Sequence, residues 1–140
     1  MRFMVIVPAT EESEAGVLPS TEILAEMGKY NEELVRAGVL LAAEGLHPSA
    51  MGSRIKFTGE KRTVIDGPFT EAKELIAGFW LIQVRSKEEA IEWVKRAPFG
   101  GGFEVEIRQV FEPDDFAPSD PTGELRAAEA RLREQSTKQG

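Results

Sequence analysis

The chain contains a single histidine, His47, and no cysteine, so any acid–base step that uses an imidazole must use this residue. His47 follows an apolar segment and precedes Pro48, in a bend of the kind that often carries functional residues. Asp66 ends a later predicted strand. If the two strand ends adjoin, the carboxylate would orient the imidazole and make it a better general base. His47 and Asp66 are therefore the candidate catalytic pair.

Each member of this pair also has a purely structural interpretation. His47 can be a surface residue before a turn-forming proline. Asp66 begins an Asp-Gly-Pro turn, in which its carboxylate accepts a nearby backbone N–H, Gly67 allows a positive φ and Pro68 fixes its own φ. The sequence leaves both interpretations open, and one residue can serve both purposes.

A second set of candidate residues lies around this turn. Glu71 and Glu74 follow Thr70 at helical spacing, so the two carboxylates could hold a divalent cation or a proton, although a solvated bend explains them equally. Nearby aromatic residues could line an apolar ligand pocket, or they could be ordinary core. The predicted ligand-binding residues are Phe69, Glu71, Lys73, Phe79 and Trp80.

Composition excludes several kinds of site. One histidine and no cysteine leave too few ligands for zinc, and we expect neither a metal nor another cofactor. Residues 100–102 are three glycines between a predicted helix and a predicted strand, which is not the geometry of a phosphate-binding loop. The formal charge of −7 argues against nucleic acid and anionic membranes as partners. The amino-terminal apolar run is too short for a signal peptide and no segment has membrane-spanning length, so we expect a cytoplasmic protein.

Hydrophobic periodicity predicts the elements that hold these residues. A helix is predicted from Ser20, a candidate N-cap, to Gly38, and a second helix from the capping box that starts at Ser86 to Pro98. A hairpin is predicted over residues 53–66, with Gly59 and Glu60 as its turn. Residues 9–20 read as a loop. The remaining predicted strands are residues 3–7, 39–43, 79–84 and 103–108.

The order of these elements predicts an α+β fold with a ferredoxin-like antiparallel sheet, in which two βαβ halves are joined by a hairpin and the helices cover one face. The strands supply apolar side chains to both faces of the sheet. A monomer would expose the helix-free face as a large apolar patch, so we predict a two-fold homodimer with the sheets packed face to face. The predicted domain covers residues 1–116. Residues 117–140 form a tail with a thin apolar stripe and a predicted helix over 121–134.

The run Asp66-Gly67-Pro68-Phe69-Thr70-Glu71-Ala72-Lys73-Glu74, with Gly78-Phe79-Trp80-Leu81-Ile82 after it, closely resembles the signature of the DGPF branch of the YCII-related family. Shorter matches lie in register before and after it, and the resemblance covers roughly residues 1–116. It implies a ferredoxin-like domain of the dimeric α+β barrel class, usually homodimeric and bacterial. It also implies a largely unassigned biochemical role, with members found near sigma-factor-like regulators as candidate partners in regulation.

Relatives in the simpler YCII group are suspected enzymes because they carry a His–Asp pair whose histidine lies on the first helix. The first predicted helix of this chain has no histidine, so that pair does not transfer residue by residue. Two functional hypotheses follow. The first is a homodimeric protein that binds a small molecule or supports regulation. The second is a cofactor-independent enzyme that acts on a small organic substrate with His47 and Asp66.

Overall fold

The computed structural model describes residues 1–139, without the side chains of Lys73 and Gln139. The chain forms two compact units, Met1–Gln109 and Val110–Gly140. Short 3-10 turns span Ser49–Met51, Ala72–Glu74 and Pro113–Ser119. The strands and helices, in chain order, are β1 (Arg2–Pro8), α1 (Glu11–Glu14), α2 (Thr21–Arg36), β2 (Leu40–Gly45), β3 (Ser53–Thr58), β4 (Lys61–Asp66), β5 (Ile76–Gln83), α3 (Lys87–Lys95), β6 (Glu106–Gln109) and α4 (Glu124–Gln139).

Four strands of the first unit form one antiparallel sheet in the order β2-β5-β1-β6. Strands β3 and β4 form a separate two-stranded hairpin, which lies in the chain between β2 and β5. Leaving out the hairpin, the sheet has the strand order of a ferredoxin-like fold. The predicted α+β architecture is confirmed.

Helices α2 and α3 begin where local chemistry predicts, but α3 ends at Lys95, three residues before the predicted end at Pro98. The Ser20 hydroxyl accepts the N–H of Ile23 and caps α2, which closes at Gly38 with φ +72°. The Ser86 hydroxyl caps α3 in the same way by accepting the N–H of Glu89. In a complete capping box the Glu89 carboxylate would accept the N–H of Ser86. Here it accepts the N–H of the preceding residue, Arg85, instead.

The hydrophobic core lies between the sheet and the helices α2 and α3. Register sets Phe3 opposite Ile82 and Val5 opposite Trp80, so these four side chains share the face that the helices cover. All four are at most 7% exposed. The helices contribute buried side chains to the same core, with Tyr30 and Leu34 on α2 and Ala90 on α3.

The opposite face of the sheet is also apolar. Met4 lies opposite Leu81 and Ile6 lies opposite Phe79, and all four side chains alternate with the core residues of their strands. We call these four residues the helix-free face. They are half-buried in the single chain, and the face they form is the one that the sequence predicted would need a cover.

Several predicted elements differ from the structure, and two of the differences have a local cause. Part of the expected loop over residues 9–20 is the short helix α1, because Thr10 and Ser13 form a reciprocal capping box. The last strand is Glu106–Gln109 rather than 103–108. Phe103 instead stacks on Phe99 with ring centroids 4.8 Å apart, which takes it out of the sheet.

In the second unit, Asp120 organises the start of α4. Its carboxylate accepts the N–H groups of Leu125 and Arg126 and the guanidinium of Arg126. Burial raises the pKa of Asp120, but these hydrogen bonds outweigh it and hold the pKa below its usual value. Helix α4 begins three residues later than predicted and continues to Gln139. Over residues 1–139 no helix has the length and hydropathy needed to cross a membrane.

Candidate functional site

Two adjacent clefts lie where β2 ends and β5 begins, and they share Gly45 and Ala77 in their walls. Backbone pairing holds this region together, since the N–H of Leu46 donates to the carbonyl of Ala77 at 2.7 Å. The histidine cleft is lined mainly by Val17, Leu18, Leu46, His47, Pro48 and Met51. The tryptophan cleft is lined mainly by Leu24, Met27, Asn31, Trp80 and Phe99.

The histidine cleft has a volume of about 510 Å³ and largely apolar walls. Its apolar side chains are unusually open to solvent, with Leu18 85% and Met51 72% exposed. His47 is exposed at its edge. Among the residues that the structure describes, no hydrogen bond or ion pair engages the His47 ring, which is therefore free to bind a molecule in the cleft.

A hydrogen-bond network holds the loop that carries His47. The Glu14 carboxylate accepts both the Ser49 hydroxyl and the Ser49 backbone N–H, the latter at 2.9 Å. The hydroxyl oxygen of Ser49 in turn accepts the N–H of Phe69 at 3.0 Å. The Ser49 hydroxyl, and secondly its N–H, hold the pKa of Glu14 below its usual value. Ser49 therefore ties α1, the His47 loop and the Asp66-Gly67-Pro68-Phe69 turn together.

Gly67 allows this turn to approach the His47 loop closely. A Cβ atom on Gly67 would lie 1.8 Å from the carbonyl oxygen of Ser49, and the N–H of Gly67 donates to the carbonyl of Gly52 at 2.9 Å. The sequence interpretation allowed Gly67 a positive φ, but its φ lies outside the positive range. The turn requires glycine because of the neighbouring backbone rather than its own φ.

The two predicted catalytic residues have different surroundings. Asp66 is exposed, and it accepts the Ser53 hydroxyl at 2.7 Å across the base of the hairpin. Within the described part of the chain, no hydrogen bond or ion pair joins His47 to Asp66. The structure thus brings Asp66 to Ser53 and His47 to the cleft.

Among the predicted ligand-binding residues, the aromatic ones have defined surroundings. Phe79 and Trp80 both border the tryptophan cleft, which has a volume of about 290 Å³. The Phe69 ring lies 3.8 Å beneath the guanidinium of Arg54 on the hairpin. Glu71 is exposed before the short turn Ala72–Glu74. The side chain of Lys73 lies outside the described residues.

Trp80 is the most constrained of these aromatic side chains. Its indole is 7% exposed and its Nε1–H donates to Asn31 Oδ1 at 2.8 Å. Tyr30 and Phe99 meet it edge-on, with ring centroids at 5.6 and 5.9 Å. Trp80 therefore serves as a packed wall of the cleft, with its one polar atom already satisfied.

Sequence reasoning missed Glu14, Ser49 and Asn31. Glu14 lies in a segment read as loop and pairs with a residue 35 positions away, so no local pattern marks it. Asn31 occupies the polar interval of an amphipathic helix, where asparagine is unremarkable. No group of three or more histidine or carboxylate side chains in the described residues is arranged to hold a metal ion.

Comparison with known proteins gives the family. An uncharacterized protein from Rhizobium meliloti is 27% identical over 98 residues, which is 67% of this chain and 79% of that protein. The structure is similar to that of 5-chloro-2-hydroxyhydroquinone dehydrochlorinase from Burkholderia phenoliruptrix in complex with 2,5-dihydroxybenzoquinone, with 16% identity and a TM-score of 0.47 over 80% of this chain and 95% of that one. Residues 1–114 match the YCII-related domain, and since this match spans most of the chain, the protein belongs to the YCII-related family.

Proposed function

We propose that this protein is a homodimer that binds a small organic molecule in the histidine cleft, with His47 as the hydrogen-bonding group. The observation that carries this proposal is an imidazole at the edge of a largely apolar cleft of about 510 Å³, with no hydrogen bond or ion pair to any other described residue. That volume lies within the usual range for small-molecule sites, which combine apolar walls with a few polar groups. The matching ligand is a small, mostly apolar molecule with a hydroxyl or carboxylate group.

The homodimer is supported by the chemistry of the helix-free face. Its two pairs, Met4 with Leu81 and Ile6 with Phe79, form a continuous apolar patch at the centre of the sheet. Beside this patch, β6 carries one negative and one positive exposed side chain, Glu106 and Arg108. In a two-fold dimer a surface meets a copy of itself, so a surface with both charges can pair with its copy. A second copy would bury this patch and present complementary charges around it.

Methionine methyl groups offer a direct test of ligand binding, because they sample different surfaces. Met51 lines the histidine cleft, Met27 lines the tryptophan cleft and Met4 lies on the helix-free face. Protein labelled with [¹³C]methyl-methionine would be titrated with phenol and, separately, with benzoate. We expect a saturable shift of the Met51 methyl resonance, together with a shift of the His47 ring resonances. The Met4 resonance serves as the internal control.

The same titration can contradict the proposal. If neither probe moves the Met51 resonance at millimolar concentration, the histidine cleft is not a site for this class of molecule. If only Met27 responds, the ligand site is the tryptophan cleft. A His47→Gln variant should keep its unfolding midpoint and lose most of the affinity, since the residue is exposed and engages no other described group.

Cofactor-independent catalysis is the second candidate function, with His47 as general base and Asp66 as its orienting carboxylate. The observation that favours it is the location of His47, where an imidazole would reach a polar group of a bound molecule. Chemical conversion of a bound compound, followed by ¹H NMR and abolished in both His47→Gln and Asp66→Asn, would establish catalysis. Binding without conversion would leave the first function.

A further inference from the structure

The hairpin of β3 and β4 carries an apolar surface that the single chain does not cover. Every residue of both strands is exposed. Register sets Ile55 opposite Val64 and Phe57 opposite Arg62, so these four side chains share one face. We call them the arm face. Its three apolar members are 57%, 64% and 69% exposed, and the Arg62 guanidinium lies 4.6 Å above the Phe57 ring.

A two-stranded hairpin alone in water is only marginally stable, because it has no core beneath it. Three large apolar side chains on one face of such a hairpin are therefore unexpected unless another surface covers them. The opposite face carries Lys56 opposite Thr63 and Arg54 opposite Ile65, and it is mostly polar. The contrast between the two faces identifies the arm face as the one that packs.

Charge narrows the choice of partner. Residues 53–66 contain four basic and two acidic residues, a formal charge of +2, within a chain of −7, so the remainder of the chain carries −9. The hairpin is a cationic segment of an acidic protein. Its electrostatic complement is consequently an acidic surface such as the body of this same chain.

A groove with the required chemistry lies on the main sheet. Its floor includes Ile6 and Ile76, and its edges carry Glu74, Glu104 and Glu106. Its volume is about 510 Å³, which is large enough for two or three apolar side chains. Ile6 also belongs to the helix-free face. The acidic groove is therefore continuous with the surface that we propose for the dimer.

We propose that the hairpin is an arm that reaches across the dimer and packs its arm face into the acidic groove of the second copy. This inference rests on the homodimer proposed above. The six-residue strands give the arm a length of about 20 Å, enough to cross from one copy to the next. Phe57 and Ile55 fill the apolar floor, and Arg62 approaches the glutamates at its edge. The arm and the helix-free face together enlarge the interface.

The absence of cysteine from the sequence permits a sharp test by disulfide trapping. One preparation carries Val64→Cys on the arm face and a second, with a different affinity tag, carries Glu104→Cys at the groove. Mixing them under mild oxidation should give a cross-linked pair of differently tagged chains. The matched control replaces Val64→Cys with Thr63→Cys, the neighbouring residue on the opposite face of the hairpin. We expect at least roughly tenfold less cross-link from the control.

Sedimentation equilibrium provides an independent measurement. The double variant Ile55→Ser, Phe57→Ser should raise the dimer dissociation constant by roughly tenfold or more, as expected for the loss of two apolar anchors. The control Ile65→Ser removes an apolar side chain from the face of the hairpin opposite the arm face. It should change the dimer dissociation constant by less than about threefold. All three substituted residues are exposed, and circular dichroism would verify that the fold persists.

The outcomes separate the arm from the dimer itself. A dimeric wild type with equal cross-linking from Val64→Cys and Thr63→Cys, or with an unchanged dissociation constant in the double variant, would overturn the arm and leave the homodimer in place. A monomeric wild type at the concentrations tested would overturn both. Selective cross-linking between the differently tagged chains would support the arm.

Discussion

Replacing Gly67 with alanine would place a Cβ atom 1.8 Å from the carbonyl oxygen of Ser49 and 2.6 Å from its carbonyl carbon. Normal non-bonded contacts lie above 3 Å, so the two backbone segments must separate by more than about 1 Å. Two hydrogen bonds cross this contact, from the N–H of Gly67 to the carbonyl of Gly52 at 2.9 Å and from the N–H of Phe69 to the Ser49 hydroxyl at 3.0 Å. At about 0.5–1.5 kcal/mol each, their loss lowers the free energy of unfolding by about 1–3 kcal/mol.

Gly101→Ala is the matched control, because a Cβ atom there meets no other atom within 4 Å and its φ is outside the positive range. Urea unfolding followed by tryptophan fluorescence would compare both variants with the wild type, and we expect Gly101→Ala to fall within about 0.5 kcal/mol of it. Amide resonances of residues 47–52 should move only in Gly67→Ala. If the two variants lose the same stability, the turn does not depend on the close contact and our account of this glycine is wrong.

Three further predictions address the interface and the site. Leu81→Arg should make the protein monomeric in sedimentation velocity, because it places a charge at the centre of the helix-free face, whereas Val35→Arg on the exposed side of α2 should leave assembly unchanged. If Asp66 orients His47, then Asp66→Asn should shift the ring resonances of His47 in NMR spectra recorded at one pH, and unmoved ring resonances would remove the pair. Hydrogen bonds from a serine hold the pKa of Glu14 below its usual value of 4.5. A lowered carboxyl pKa stabilises the fold above pH 4.5, so the stability difference between wild type and Glu14→Gln should shrink as pH falls through the lowered pKa. A difference that is constant with pH would contradict this role.

Features with local causes could be predicted from the sequence. The helix from Ser20 to Gly38 has a capping hydroxyl at one end, a glycine at the other and an apolar period between them. The hairpin follows from alternating residues on both sides of Gly59 and Glu60. In each case the signal lies within a few residues of the structure that it predicts. The strand order followed from these elements because few topologies connect them.

Features that depend on long-range contact could not be predicted in this way. The bond between Glu14 and Ser49 joins a short helix to a loop, and neither segment has a pattern that identifies the other. The close contact at Gly67 could not be predicted for the same reason, since the atom that excludes a side chain belongs to Ser49. The last strand was displaced because Phe103 stacks on Phe99, a contact that alternation alone does not reveal.

The measurement that tests the central claim most directly is sedimentation velocity of the unmodified protein over a concentration series from low to high micromolar. A sheet with apolar side chains on both faces should bury the helix-free face of Met4, Ile6, Phe79 and Leu81 against a second copy. The result that we predict is a species of twice the chain mass across the micromolar range. A single species of one chain mass at every concentration would contradict the homodimer and the arm proposed with it.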